Sequence, residues 1–313
     1  MSVITLQNPG KAVVKDPERP HRLLLKSAYI LAGALIVGVG VYGFDYYPLD
    51  SLQRVYSAKH QTLRPSGFVG LSLGILGAIL FCNIFLYAIR KHWTWLRKWG
   101  SNRHWLNFHV LMGLTAPLVI AFHAAFRFHG LAGMAFWIMV AVALSGVVGR
   151  YLYSQIPRNL NAAELSLAEA RVEQDKLTRD LAGQKLFSEE DLAPLFRLPS
   201  KQRVASESML MMFLSLIALD VLRFLHVAKL RRKALGWGGS FATMGGLLNS
   251  QAHEIENVIL LAGKQAAMSK RILFLSRSQK VLNLWHVVHK PFSYSFVVLA
   301  IIHITVELLI GVR

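Results

Sequence analysis

Apolar residues in this chain are gathered into long runs, not spread at the short periods of a half-buried strand or an amphipathic helix. Runs at 27–44, 68–89, 105–126, 131–148 and 287–310 are each long enough, or nearly so, to cross a hydrocarbon layer about 30 Å thick. In lipid every backbone polar group has to bond within its own segment, so such runs predict helices. A further run, 209–228, is equally apolar on average. It contains Asp220, Arg223 and His226 and runs into Lys229, Arg231, Arg232 and Lys233. It reads as a sixth span or as a helix lying on the membrane surface with its charges toward water. The predicted fold class is an all-α membrane protein, a bundle of five transmembrane helices with 209–228 as a sixth candidate.

The polar stretches set the organisation. Residues 1–26 form an N-terminal segment, 27–153 hold the first four spans, 154–284 are an inserted helical region, and 285–313 carry the last span. Within the insertion, 161–186 is rich in Ala, Leu, Glu and Lys and predicts an amphipathic helix, and Ser188-Glu-Glu-Asp has the form of a capped helix start. Pro194 and Pro199 interrupt the pattern, 236–246 is a glycine-rich hinge, and a helix over about 252–281 leads into the last span. The Gly236-Trp-Gly-Gly stretch is a turn and not a phosphate loop, because no strand precedes it and the Lys-Ser/Thr ending is missing. Pro291 belongs in the first turn of a helix, which puts His289 at the start of the last span.

Composition agrees with the membrane class: 54% of residues are hydrophobic and the mean hydropathy is +0.40. The net charge of +18 does not point to nucleic acid, because the basic residues cluster beside the spans, where they act as topology determinants and headgroup contacts. With five spans and a cytoplasmic N-terminus, the inner stretches 1–26, 90–104 and 149–284 carry 5, 5 and 19 Lys/Arg. The outer side keeps Arg54, Lys59, Arg64, Arg127 and Arg313, and this bias favours five spans. The polar, proline-punctuated start lacks a signal peptide's cleavage site, so the first run reads as an uncleaved anchor. A single cysteine, Cys82, excludes disulfides, c-type haem attachment and an iron–sulfur cluster carried by this chain.

The candidate chemistry lies with histidine. His109 and His123 fall in one run and His289 and His303 in another, each pair fourteen residues apart. On a helix that separation brings the second imidazole back to within about 40° of the first and roughly 21 Å along the axis. Each pair then lies on one helix face, near opposite sides of the membrane. Ionisable groups in such runs are costly and by default functional. With five spans the third and fifth helices run parallel, so His109 faces His289 on the inner side and His123 faces His303 on the outer side, an arrangement suited to two bis-histidine haems. His286 competes with His289 for ligation. Around the inner mouth lie His104, Arg103, Arg150 and Lys290. Four residues beyond each outer histidine sit Arg127 and Glu307, suited to pair with each other; Arg127 could instead hold a haem propionate. Pro117 falls between His109 and His123 and predicts a kink. Gly70 and Gly74 have the spacing of a helix-packing motif.

These doubled spacings resemble those of the di-haem cytochrome b group, which includes the cytochrome b of quinol-oxidising complexes and the ferric-reductase-like transmembrane proteins. Two stretches, Ser145-Gly-Val-Val-Gly-Arg-Tyr-Leu-Tyr and Trp285-His-Val-Val-His-Lys-Pro-Phe, resemble bacterial membrane cytochromes b that work alongside multihaem cytochromes or iron–sulfur proteins. The resemblance covers 68–153 and 284–310. It implies two haem b groups held by His109, His123, His289 and His303, membrane lipid around the bundle, a redox partner protein, and a quinone as a further candidate cofactor. No flavin or nicotinamide domain is recognisable, which speaks against a self-contained ferric reductase. The function expected is a b-type electron-transfer subunit of an oxidoreductase complex in a bacterial inner membrane, between a quinol or cytoplasmic donor and a protein acceptor. The competing reading is a metal-ion or proton transporter with intramembrane histidines as ligands or relay. A di-metal hydroxylase fits less well, because its histidines would cluster at one depth.

Overall fold

A computed structural model describes residues 18–90, 92–157, 166–184, 186–242 and 253–311. Among them every regular element is helical. In chain order these are α1 (Arg19–Tyr42), α2 (Ser51–Tyr56), α3 (His60–Leu63), α4 (Phe68–Arg90), α5 (Thr94–Arg97), α6 (Asn102–His123), α7 (Gly130–Ser154), α8 (Leu167–Ala182), α9 (Glu189–Phe196), α10 (Lys201–Ser206), α11 (Met209–Ala242) and α12 (His253–Val306), the last followed by a π-helical turn, Glu307–Gly311. Six helical stretches are long and apolar enough to cross a membrane: Arg19–Tyr42, His60–Arg90, Asn102–His123, Gly130–Ser154, Met209–Ala234 and Glu254–Ile310. Their apolar side chains face outward to a degree no aqueous surface favours. Ile30 and Leu31 on α1 and Val298 and Ile301 on α12 are all more than half exposed.

Contacts divide the chain into two compact units, one holding the residues up to Ala143 together with those from Leu299 onward, the other Leu144–Val298. The first unit is built on α4 and α6, which pack along their length. A buried arginine organises a loop at each end of α4. At the C-terminal end, Arg90 donates to the carbonyls of Leu96 (3.2 Å) and Gly100 (2.8 Å) and to the Asn102 side chain. Its guanidinium lies 5.6 Å from the Trp105 ring centre. Gly100, at φ +67°, makes the left-handed turn this loop needs. Near the other end, Arg54 donates to the carbonyls of Leu49 (2.8 Å), Ala125 (2.6 Å) and Tyr47. Tyr46, Leu63 and Ala125 pack around it as a small core. Burial, and the neighbouring charge of Arg127, pull the Arg54 guanidinium below its ordinary pKa. Ala125 and Phe126 both have positive φ, 47° and 59°, a conformation side chains resist, and Arg54 holds the first of them by its carbonyl.

The second unit has a core of soluble type. Leu181, Phe187, Leu192, Leu195, Leu230, Val258, Ile259 and Ala262 are buried together where α8, α9, α11 and α12 meet. Ser166 and Glu169 close a capping box at the start of α8, and Ser188 caps α9 by accepting from Asp191 N. Lys233 sits 2.6 Å from Asp191; that contact, with the Ser188 bonds, holds the Asp191 carboxyl below its usual range. α11 runs antiparallel to α12: Arg231 pairs with Glu256 at 2.7 Å and Asp220 with Lys270 at 2.6 Å, while Met212 and Leu216 pack on Phe274. Asp220 and Arg231 of α11 thus turn inward onto neighbouring helices, while Val221, Phe224 and Leu225 turn outward.

Two local expectations change and a third is met. The helix expected over 252–281 and the last span are one continuous helix, α12, with Pro291 inside it and not at its start. The preceding turns are already held by α7 and α11, so the proline costs a hydrogen bond without ending the helix. The amphipathic helix expected from 161 begins at Leu167, and 161–165 lie outside the described residues. Gly236, at φ +69°, marks a break inside α11 where the hinge was expected; 243–246 lie outside the described residues.

Arg54→Ala removes donors from three carbonyls in one step and should cost about 2–4 kcal/mol. In detergent-solubilised protein this appears as a fall of several degrees in Tm. Arg203→Ala breaks an exposed i,i+4 pair on α10 and should leave Tm unchanged within a degree.

Candidate functional site

The two histidines of α6 are seated in the same way. His109 Nδ1 donates to the carbonyl of Ile84 at 3.2 Å, and His123 Nδ1 to that of Gly70 at 2.8 Å. Both acceptors are on α4, and they too are fourteen residues apart, so one antiparallel register serves both rings. A helical carbonyl already accepts from the N–H four residues on, so a second donor reaches it only where the side chain at that position is small. Gly74 and Ala88 stand four residues after Gly70 and Ile84. A Cβ on Gly74 would lie 2.7 Å from His123 Cε1 and Nδ1, so the ring occupies the space this glycine leaves. Farther along α4, a Cβ on Gly77 would collide with Ile120 of α6. The small-residue face of α4 therefore packs α6 and seats its histidine at once.

An imidazole that donates from Nδ1 carries its lone pair on Nε2. Metal-bound histidines are commonly held in this way, with the non-ligating nitrogen fixing tautomer and ring orientation. In the same unit, the charges of His303 and Glu307 reach His123, and His303 Nδ1 lies 4.0 Å from Glu307 Oε1. Tyr87 lies beside His109, ring centres 5.4 Å apart. Tyr47 packs edge-on against Phe122 and Phe126. Its hydroxyl is buried without a hydrogen-bond partner, and burial pushes its pKa up to about 12. It keeps its proton, and its ring rests on Phe122, the residue before His123 on α6.

In the second unit, the two motifs singled out in the sequence touch each other. Ser145 Oγ lies 2.7 Å from His289 Nδ1, and Trp285 Nε1 donates to the Ser145 carbonyl at 2.8 Å. The Trp285 ring stacks on His289, centres 4.5 Å apart at 28°. It lies where a Cβ on Gly149 would be, and a Cβ on Gly146 would meet His289 Cε1 at 3.8 Å. Ser145, Gly146 and Gly149 thus form one face of α7 shaped to the Trp285–His289 turn of α12. His286 contacts Trp285 edge-on. Arg150 lies over the Tyr153 ring, 5.8 Å from its centre.

Two expectations are corrected. Arg127 does not continue the His123 face, because α6 ends at His123 and the chain then turns through the left-handed Ala125 and Phe126. No ion pair joins it to Glu307 among the described residues, and its nearest charged influence is on Arg54. His104, expected at the inner mouth, is engaged elsewhere in its own unit. Its Nε2 lies 3.0 Å from Glu18 Oε2, and its ring stacks on His21 at 3.6 Å. That stack joins α1 to α6, and nothing in the sequence pattern pointed to it. Among the described residues no three His, Cys, Asp or Glu side chains gather as a metal cluster.

Gly74→Ala forces the His123 ring to shift and should lower stability by about 1–3 kcal/mol. Combining it with His123→Ala should restore most of that loss, a coupling that thermal unfolding of the four proteins of the cycle would measure. Gly33→Ala, where a Cβ meets nothing within 4 Å, should be tolerated.

No protein-family model, curated protein or solved structure matches the chain.

Proposed function

We propose that the chain is the b-type cytochrome subunit of an oxidoreductase complex in a bacterial inner membrane, with two haem b groups each held by two histidines. The observation that carries this reading is the shared seating of the α6 histidines: Nδ1 of His109 and of His123 donates to a carbonyl of α4, the tautomer in which Nε2 bears the lone pair for a metal, and Ser145 Oγ meets His289 Nδ1 at 2.7 Å. His123 and His303 belong to one unit and come within electrostatic reach of each other, which supports them as one ligand pair. His109 and His289 are proposed as the remaining ligands on the strength of their own anchoring, each within its own unit. Bis-imidazole ligation leaves iron no open position, so the bound group supplies electron transfer and not oxygen or substrate chemistry.

The residues of the chain orient and insulate. α4 holds both rings of α6 in one tautomer, Trp285 and Ser145 hold the His289 ring against α7, and Tyr47 packs on Phe122 beside His123. Electrons would pass between a quinol or cytoplasmic donor and a redox partner such as a multihaem cytochrome c or an iron–sulfur subunit.

Five spans accompany this reading. Lys270, opposite the middle of α11, precedes Val298 in the last apolar run by about 28 residues, or roughly 42 Å of helix. Half a hydrocarbon layer is about 15 Å, so a membrane centred on that run does not also enclose the middle of α11, and the apolar side chains that α11 turns outward are left for a partner subunit to cover. The basic inner segments then put the N-terminus in the cytoplasm.

The protein purified after expression with ample haem should show a reduced-minus-oxidised b-type spectrum and two haems per chain. Each of His109→Ala, His123→Ala, His289→Ala and His303→Ala should lower that to one, while His286→Ala keeps both. Absence of haem in the unaltered protein, together with metal uptake into liposomes, would identify a transporter instead.

A further inference from the structure

We propose that the second unit binds a small organic anion, a carboxylate or phosphate with a short apolar body, in the cavity enclosed by α9, α11 and α12. The cavity measures about 270 Å³, and its polar lining is basic: Arg197, Arg223, His226 and Lys270. Leu195, Leu198 and Leu219 supply apolar walls.

The charge balance behind this lining is uneven. Asp220 Oδ1 lies 2.6 Å from Lys270 Nζ and 2.8 Å from Arg223. Asp220 Oδ2 accepts from the Tyr151 hydroxyl at 2.8 Å and from Gln155 at 3.4 Å. Both oxygens of this carboxylate are therefore in use. Arg271 also feels Asp220 and Arg223. Three cations share one anion in a region where Lys270 is only 3% exposed. A buried charge is tolerated when it is paired, and an ammonium has three donors, of which Asp220 takes one. An oxyanion in the cavity supplies the missing charge and acceptors. The Arg223 fork suits two oxygens of one carboxylate or phosphate, and Lys270 acts as a point charge behind it.

Size narrows the class. The volume falls just below the usual range for ligand pockets, which suits a short-chain acid or a phosphate monoester and is too small for a nucleotide. Arg197 is exposed at the rim, in position to meet the anion as it enters. The site is independent of the haem reading, because every residue in it belongs to the second unit and none is a candidate ligand.

The test uses the full chain in non-ionic detergent, titrated with inorganic phosphate or butyrate against chloride at matched ionic strength, with thermal stability as the readout. Saturable stabilisation by either oxyanion beyond chloride is expected, and the stronger of the two names the head group. Arg197→Gln, an exposed change that leaves the fold intact, should weaken half-saturation about tenfold. Lys270→Met, which removes the buried charge at similar volume, should abolish it. Failure of both anions to stabilise beyond chloride overturns the proposal, as does saturation unchanged in both variants.

Discussion

The first unit depends on hydrogen bonds from imidazole to the carbonyls of a neighbouring helix. In lipid no water is at hand, so a histidine on a membrane helix must find its partner in protein. α4 offers its own carbonyls, already engaged within the helix but with a second lone pair to give. At Gly70 the His123 ring reaches that lone pair through the space Gly74 leaves. Packing and ring seating are therefore settled together there, and the same register that closes α4 against α6 aims both histidines.

Buried arginines do for the loops what the carbonyls do for the rings. Arg54 and Arg90 each gather loop carbonyls that the chain's turns would otherwise leave without donors. Guanidinium suits the task, since its five N–H groups form a rigid fork and its charge strengthens each bond. Arg54 also bears on Ala125, immediately past the end of α6, so the loop between α1 and α4 fixes where the His123 helix stops. The second unit works by other means. Its helices are capped by serines and packed on a soluble-type core, and its ionic groups pair across α11 and α12.

How far the sequence reached depended on what kind of partner each residue found. Helices in the apolar runs followed from length and hydropathy, and the caps at Ser166 and Ser188 from side chains that compete for helix-end N–H groups. The fourteen-residue histidine spacing was visible because helical geometry turns spacing into a shared face. The carbonyl anchors at Gly70 and Ile84 were not, because a backbone acceptor has no residue type; only the small Gly74 and Ala88 hint at it, and glycine spacing alone reads as plain packing. Ser145 and Trp285 stood out as parts of separate motifs, yet their contact required knowing that α7 meets α12. Arg127 misled for a definite reason. The i,i+4 rule holds only while the helix lasts, and α6 ends at His123, where Arg54 takes hold of the next turn.

α12 brings these strands together. It runs as one helix from His253 to Val306, and within the second unit His286 and His289 keep a fixed phase on it, as His109 and His123 do on α6 in the first. Inserting one residue between two such positions rotates everything beyond it by about 100°. That would swing an imidazole from one face to the next. A loop could absorb such a change, whereas a continuous helix transmits it. Rigidity between the two histidines of a helix is what gives the fourteen-residue interval its meaning.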